Sequence, residues 1–186
     1  MNAATSTAPV SVATWNIDPV HSSAQFKVKH MMISNVKGEF SAVKGSSTLN
    51  TADITKSRVE ASIDVATINT REEQRDGHLK SPDFFDVAQF PTITFKSTQV
   101  SKTGEGTLAV AGDLTIRGVT RNVVLDVEGP SAPVKDPYGN MKIGLSATTR
   151  INRKDFGLIW NGVLESGGLL VGEEVAITLD LQFLKA

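Results

Sequence analysis

The stretch VAITLDLQF, residues 175–183, alternates apolar and polar side chains over its whole length. Val175, Ile177, Leu179, Leu181 and Phe183 share one face, and the residues between them are small, polar or charged. Period-two alternation of this kind is typical of a strand with one buried face and one solvated face. The stretch therefore predicts a half-buried β-strand close to the C-terminus.

The same alternation recurs along most of the chain. Its apolar members are Ala24, Phe26 and Val28; Val59, Ala61, Ile63 and Val65; Ile93 and Phe95; Leu108, Val110, Leu114 and Ile116; Val123, Leu125 and Val127; and Met141, Ile143, Leu145 and Ala147. With residues 36–49 added, the pattern predicts about eight strands joined by short Gly-containing turns. Such connections favour antiparallel neighbours, so we expect an all-β fold.

Alternation alone leaves two architectures open. One is a filled sandwich of two sheets, and the other is a closed barrel. A barrel of about eight strands can hold one small ligand inside. The inward positions mix large and small residues, such as Phe26, Ala61 and Ala147, which leaves room for a cavity without requiring one.

One segment, TREEQRDGHLKSPDFFD at residues 70–86, is helical in character. Thr70 and Glu73 have the spacing of a capping box, which predicts a helix start. The proline within the segment predicts the helix end, and Phe84 and Phe85 follow it. A polar helix tipped by two phenylalanines in an all-β chain predicts a lid over a cavity.

Composition excludes several classes of function. The chain of 186 residues has 19 basic and 20 acidic residues, a net charge of −1 and no cysteine. We therefore expect no nucleic-acid partner, no disulfide and no thiol catalysis. No apolar run approaches the roughly 18 residues of a membrane-spanning helix. We expect one domain over residues 15–186 and no cofactor other than a bound lipid.

Residues 1–14 are rich in Ala, Ser, Thr and Val, which predicts a flexible tail. The first basic residue is Lys27, so this region lacks the basic and apolar parts of a signal peptide. A cytoplasmic location is favoured on this ground. The alternative is a periplasmic protein whose leader was removed and replaced by a start methionine.

The polar residues offer no clear catalytic or metal site. His21, His30 and His78 are too far apart for local metal-ligand spacing, so we expect no metal. Asp76, His78 and Asp83 can be combined into an acid–base group. We favour a structural role, in which these side chains attach the helix to the barrel rim, because no nucleophile accompanies them.

Four motifs together are similar to those of one known family. They are DPVHSSAQFKVKH with GEF (18–30 and 38–40), RDGHLKSPDFF with FPTI (75–85 and 90–93), GDLTIRGVT (112–120) and NRKDFG (152–157). In this order and spacing they resemble the YceI-like family of polyisoprenoid-binding proteins, over roughly residues 15–184. The motif positions taken as structural are His30, Arg75, Asp76, His78, Asp83, Arg153 and Asp155.

The resemblance implies a lipocalin-like, extended antiparallel barrel around a long apolar tunnel. It implies non-covalent binding of an isoprenoid chain or a similar amphiphile, such as a quinone tail or a fatty amide, and in many members a homodimer or export to the periplasm. The expected partners are thus a long-chain amphiphile, a second copy of the chain and a membrane contacted transiently. The helix and the Gly157–Val171 loop are expected to line or gate the entrance.

Residues expected to line the tunnel are assigned by inward phase and aromatic or aliphatic character, not by motif. They are Phe26, Phe40, Ile63, Phe84, Phe85, Phe90, Phe95, Leu114, Leu145, Phe156, Trp160, Leu164, Leu170 and Leu179. The favoured function is binding, transport or storage of such a lipid without catalysis. Two alternatives stay open: an enzyme acting on an apolar substrate through His78 with Asp76 or Asp83, and a stress-related module with a filled core.

Overall fold

The structure, a computed structural model, describes residues 12–186. This part of the chain contains twelve β-strands and one α-helix. The strands are Val12–Ile17 (β1), Ser23–His30 (β2), Ser34–Phe40 (β3), Val43–Asn50 (β4), Arg58–Asp64 (β5), Ile68–Asn69 (β6), Thr92–Gly104 (β7), Thr107–Ile116 (β8), Val119–Glu128 (β9), Val134–Lys135 (β10), Met141–Asn152 (β11) and Val171–Lys185 (β12). The helix α1 is Glu73–Lys80, and 3₁₀ turns occur at Ile54–Lys56, Val65–Thr67 and Arg153–Phe156.

Eight of the described strands close into an antiparallel barrel. Around the ring they follow the order β12, β1, β4, β5, β7, β8, β9 and β11, and β11 pairs again with β12. The closing ladder is long, from Lys142 opposite Leu184 to Asn152 opposite Glu174. A closed ring removes the strand edges that a two-sheet sandwich leaves open. The predicted all-β class, with about eight strands forming a barrel and one short helix, is therefore confirmed.

The β2–β3 hairpin projects from this ring. One edge of β12 pairs with β11, while the other pairs with β2 and, further along, with β1. The strand β3 continues the sheet from β2, and the short strand β6, which leads into α1, lies beside β3. The hairpin tip, α1, the β8–β9 turn and the Arg153–Phe156 turn all lie at one end of the barrel, called here the α1 end.

Two predicted boundaries differ from the structure. The predicted tail ends inside β1, because Ala13 already pairs with Leu49, and residues 1–11 lie outside the described part of the chain. Residues 36–49, expected as one strand, divide into β3 and β4 at Ser41 and Ala42. The chain bends there because β3 pairs with β2, whereas β4 pairs with β1 and β5.

The predicted helix start was also wrong. Thr70 does not cap α1; its hydroxyl donates to Asp76 Oδ1 at 2.5 Å and accepts from Arg75 Nε at 2.8 Å. The cap is Glu72, whose carboxylate accepts from the backbone N–H groups of Gln74 and Arg75. The helix ends at Lys80, before the proline, so it is shorter than the predicted segment. The capping-box spacing gave a wrong prediction because the Thr70 hydroxyl bonds the side chains of Arg75 and Asp76 and not a backbone N–H group at the helix start.

A buried carboxylate connects the end of β1 to β11. Asp18 Oδ2 lies 2.8 Å from His21 Nδ1 and accepts a hydrogen bond from Lys142 Nζ at 3.3 Å, and Oδ1 accepts from the Val20 N–H. The hydrogen bond with His21 lowers the pKa of Asp18 below its ordinary value, and this effect exceeds the opposing one of burial. Lys142 also donates to Gln182 Oε1 on β12. Asp18 is therefore best accommodated as a charged group.

Candidate functional site

An apolar cavity of about 260 Å³ runs through the barrel interior. Its volume is close to the lower limit of about 300 Å³ that is typical of small-molecule sites. The walls are aliphatic and aromatic almost everywhere, because alternate positions of each strand point inward. Lining residues come from β2 and from every strand of the ring except β1. The inward members of the 175–183 stretch, Val175, Ile177, Leu179, Leu181 and Phe183, all line it.

Most of the residues expected to line the tunnel do border this cavity. They are Phe26, Phe40, Ile63, Phe84, Phe85, Phe95, Leu114, Leu145, Phe156 and Leu179. They come from seven strands, the turn after α1 and the 3₁₀ turn after β11. The barrel thus brings together side chains that are far apart in the sequence. Their contact with a ligand stays a prediction.

The other four, Phe90, Trp160, Leu164 and Leu170, do not border the cavity. The Phe90 ring rests on Gly118, where an added Cβ would lie 2.7 Å from Phe90 Cε1. The 157–171 loop folds back on itself outside the barrel. The Leu164 N–H donates to the Gly168 carbonyl, and the Gly167 N–H donates to the Leu164 carbonyl. These residues were assigned to the tunnel because they are apolar, but an irregular loop has no phase that indicates a direction.

Two phenylalanine rings lie flat against the barrel wall over glycines of neighbouring strands. A Cβ added at Gly38 would lie 2.3 Å from Phe26 Cζ, and one at Gly112 would lie 2.4 Å from Phe95 Cζ. Only a residue without a side chain leaves room for a ring in this position. The two rings are therefore held beside the wall, and the centre of the barrel stays open.

The α1 segment closes one end of the cavity. Leu79 on the helix and Phe84 and Phe85 on the turn after it all border the cavity. Phe85 meets Phe40 edge-on with ring centroids 6.0 Å apart, and Phe40 lies 5.8 Å from Phe26. The segment therefore has the position expected of a lid. Leu79 was missed from the sequence because α1 is otherwise polar, although its place six residues before Phe85 in the same motif was a usable signal.

The polar residues of α1 hold the lid segment together, from the residue after β6 to the turn after the helix. Asp76 accepts from the backbone N–H and hydroxyl of Thr70, and Arg75 donates to the same hydroxyl and to the Thr70 carbonyl. His78 Nε2 lies 2.8 Å from Asp83 Oδ2. All these side chains lie outside the cavity lining. The arrangement fits the structural role favoured from the sequence.

His78 also belongs to a small aromatic cluster between the lid and the 157–171 loop. Its ring meets Trp160 edge-on at 4.7 Å and Phe84 at 5.1 Å, and Phe84 lies 5.2 Å from Trp160. Trp160 thus packs against Phe84, which itself borders the cavity. The cluster joins the 157–171 loop to the turn after α1.

Arg153 holds the 157–171 loop in place from beneath. The residue is buried, and its guanidinium donates to the carbonyls of Leu158 (2.6 Å), Gly172 (2.8 Å), Trp160 (2.9 Å) and Val171 (3.3 Å). Burial lowers the pKa of Arg153 from its ordinary value. Arginine pKa values are so high that the group stays charged all the same. One cation therefore fixes both ends of the loop.

A second arginine, missed from the sequence, bridges the loop and the lid. Arg117, with φ of 49°, and Gly118, with φ of 72°, form the two-residue turn between β8 and β9. Arg117 donates to the carbonyls of Gly157 and Pro82. The signal was its place in the GDLTIRGVT motif. Two further motif residues lie apart from these contacts: His30 ends β2 opposite Ser34, and Asp155 is exposed on its 3₁₀ turn.

No group of three or more metal-ligating side chains occurs within residues 12–186. In the same part of the chain, no helix has the length and apolar character needed to cross a membrane. The site is a largely apolar cavity with a lid, and its lining also includes Gln25, Arg58 and Arg153.

Comparison with known proteins agrees with this architecture. A family model described as the YceI-like domain matches residues 15–183. The chain belongs to this family. The UPF0312 protein SAS2572 of Staphylococcus aureus strain MSSA476 is 36% identical over 176 residues, which cover 92% of this chain and 98% of that protein. The resemblance inferred from the four motifs is thus confirmed.

Several solved structures share the fold. BcnA of Burkholderia cenocepacia superposes with a TM-score of 0.76 at 21% identity, covering 89% of this chain and 98% of that chain. A second structure is described as a polyisoprenoid binding domain from Saccharophagus degradans implicated in plant cell wall breakdown. It superposes with a TM-score of 0.68 at 18% identity, covering 95% of this chain and 100% of that chain. At these identities the likeness shows the fold alone.

Proposed function

We propose that this YceI-like protein binds a polyisoprenoid or a similar long-chain amphiphile in the barrel cavity and carries or stores it without catalysis. The observation that carries the proposal is the cavity of about 260 Å³ with its almost wholly apolar wall. Such a wall offers a hydrocarbon chain a dry environment and offers a polar substrate few partners. The description of the Saccharophagus degradans domain as polyisoprenoid binding supports the same ligand class.

Burial of the chain supplies the affinity. Each buried CH₂ contributes about 0.8 kcal/mol, so about ten carbons contribute roughly 8 kcal/mol before the entropy losses of association. Because roughly 8 kcal/mol corresponds to about micromolar affinity without those losses, we expect micromolar binding to require burial of more than about ten carbons. Because the wall is not directional, we expect chain length and width to select the ligand more than head-group chemistry.

The positions of the polar motif residues support a role without catalysis. Asp76 is engaged by Thr70, and His78 is paired with Asp83 on the outer side of the lid. None of these three motif side chains borders the cavity. An acid–base group must reach the atom it protonates within about 3 Å, directly or through one water. His78 and its neighbours are therefore better explained as supports of the lid.

Native mass spectrometry with geraniol, farnesol and geranylgeraniol tests the proposal. We expect one lipid per chain, with binding that strengthens as isoprene units are added until the cavity is full. In the variant Ala147→Phe, the new ring enters the cavity, because Ala147 is buried and borders it. This variant should prefer a shorter alcohol than the wild type does.

The matched control is Ala176→Phe, which places the same ring on the outward face of β12 opposite Lys27. It should bind like the wild type. A wild-type protein that takes up none of the three alcohols would refute the proposal. So would an equal loss of binding in both variants, since the effect would then not come from the cavity.

A further inference from the structure

Exposed aliphatic side chains are concentrated at the α1 end of the barrel. They are Met31, Met32 and Ile33 at the tip of the β2–β3 hairpin and Ile159, Val163 and Leu169 on the 157–171 loop, and we call them the rim patch. Ile33 and Val163 are the most open, with 81% and 83% of their surface exposed. Single exposed aliphatic residues are common, whereas groups of them indicate a contact surface.

The two parts of the rim patch form one surface. The Met31 N–H donates to the Leu170 carbonyl at 2.8 Å, and His30 pairs with Val171. Met31 and Met32 have φ of 50° and 62°, a left-handed conformation in which glycine or asparagine is easier to accommodate. The tip therefore keeps two long apolar side chains at positions that local backbone preference disfavours.

The rim patch continues into the cavity. Val28, Leu158 and Val171 border the cavity, and each lies within three residues of a rim-patch residue in the sequence. Leu158 is followed directly by Ile159, and Val171 comes two residues after Leu169. An apolar ligand that leaves the cavity here meets aliphatic side chains on its way out.

The hairpin that carries the tip is basic on its outward face. Lys27, Lys29 and Lys37 are exposed there, and Lys27 lies opposite Lys37. None of the three forms an ion pair with another residue of the 12–186 region. On the adjoining β12, Glu173 and Glu174 are paired with Lys154 and Arg150. Glu39, on the same outward face of β3, and Glu165, on the loop, are the acidic exceptions, so lysines outnumber acidic residues three to one on the hairpin face.

We propose that the rim patch docks onto an anionic lipid bilayer, with the three lysines against the head groups and the hairpin tip among the acyl chains. The inference rests on the proposed function, because it makes this docked state the one in which the ligand exchanges between bilayer and cavity. Apolar side chains beside lysines are the combination that binds anionic membrane surfaces. A second copy fits less well, since a symmetric contact would bring the two lysine faces together.

Flotation with vesicles tests the docking. The wild-type protein should float with vesicles of phosphatidylglycerol and phosphatidylcholine and float less with phosphatidylcholine alone. Ile33→Asp should lower partitioning roughly tenfold or more, because the carboxylate cannot enter the acyl region. Lys29→Gln should lower it about fivefold, and added salt should reduce that difference. The matched control is Val124→Asp, which changes an exposed valine outside the rim patch and should float like the wild type.

A second measurement separates this inference from the function on which it rests. Ile33→Asp should still take up geranylgeraniol from solution in native mass spectrometry, which also reports whether the variant is folded. Failure of the wild type to float, or equal losses in Ile33→Asp and Val124→Asp, would overturn the docking surface while leaving lipid binding intact. A wild-type dimer that Ile33→Asp dissociates, without vesicle binding, would assign the patch to a second copy instead. A protein that floats as expected but binds no alcohol would refute the proposed function.

Discussion

Replacement of Arg153 by methionine should release the 157–171 loop and lower the stability of the barrel. Methionine keeps much of the length of the side chain but donates no hydrogen bond. Of the four carbonyls that Arg153 serves, that of Val171 keeps a second donor, the Asn161 side chain at 2.7 Å. Those of Leu158 and Trp160 have no other donor among the described hydrogen bonds, and that of Gly172 loses its hydrogen bond from Arg153 Nε.

The expected loss follows from these three carbonyls. A buried polar group left without a partner costs about 1–3 kcal/mol, which gives roughly 3–9 kcal/mol in total. Two effects bring the value down. Water reaches a loop at the barrel rim, and the variant no longer buries a guanidinium, whose lowered pKa records the cost of that burial. We therefore expect a loss of about 3 kcal/mol in the free energy of unfolding.

Urea unfolding measures this loss, and hydrogen exchange of the amides in 158–172 locates it. Arg150→Met is the matched control. Arg150 lies three residues earlier and pairs with Glu174, but both side chains are well exposed, so its loss should cost less than about 1 kcal/mol. Equal unfolding midpoints for the two variants would refute the reasoning. So would unchanged exchange in the loop of the Arg153 variant.

Three further predictions concern the wall, the fold and pH. Phe95→Asp should cost at least about 3 kcal/mol in urea unfolding and abolish uptake of farnesol from solution in native mass spectrometry. Lys27→Glu, on an exposed face, should do neither in these two assays, and comparable intolerance would mean that the inward faces are misassigned. Gly112→Ala should cost about 1–3 kcal/mol and reduce farnesol binding in native mass spectrometry, because the Phe95 ring must leave the wall; unchanged binding would contradict this. The hydrogen bond with His21 lowers the pKa of Asp18 in the folded protein below 3.8, so the ionised carboxylate stabilises the folded state. This stabilisation should be fully present above pH 3.8 and be lost as the pH falls through the folded-state pKa. Urea unfolding at a series of acidic pH values should therefore show a smaller decline for Asp18→Asn than for the wild type, and equal declines would refute this.

The inward face of the barrel could be predicted from the sequence because a strand has a period of two. Once Leu179 and Phe183 are taken as buried, every alternate residue follows, and the same rule places Phe95 and Leu114. The existence of a cavity did not follow. It depends on closure between β11 and β12 and on glycines that accept aromatic rings, and both are contacts between segments distant in the sequence.

Prediction failed where the chain is irregular. Trp160, Leu164 and Leu170 were expected in the tunnel, but they belong to a loop whose path is set by hydrogen bonds to Arg153 and Asn161. No local pattern reports such contacts. The prediction of the helix start failed for a similar reason, since the Thr70 side chain expected to cap it is hydrogen-bonded to Arg75 and Asp76.

The contacts between phenylalanine rings and glycines mean that the width of the cavity depends partly on residues that do not border it. Gly38 and Gly112 do not border the cavity, yet each decides whether a phenylalanine lies along the wall or projects into the lumen. Relatives with identical lumen-facing side chains can therefore differ in the girth of the molecule they accept. Ligand preference across the family should be compared with these hidden glycine positions included.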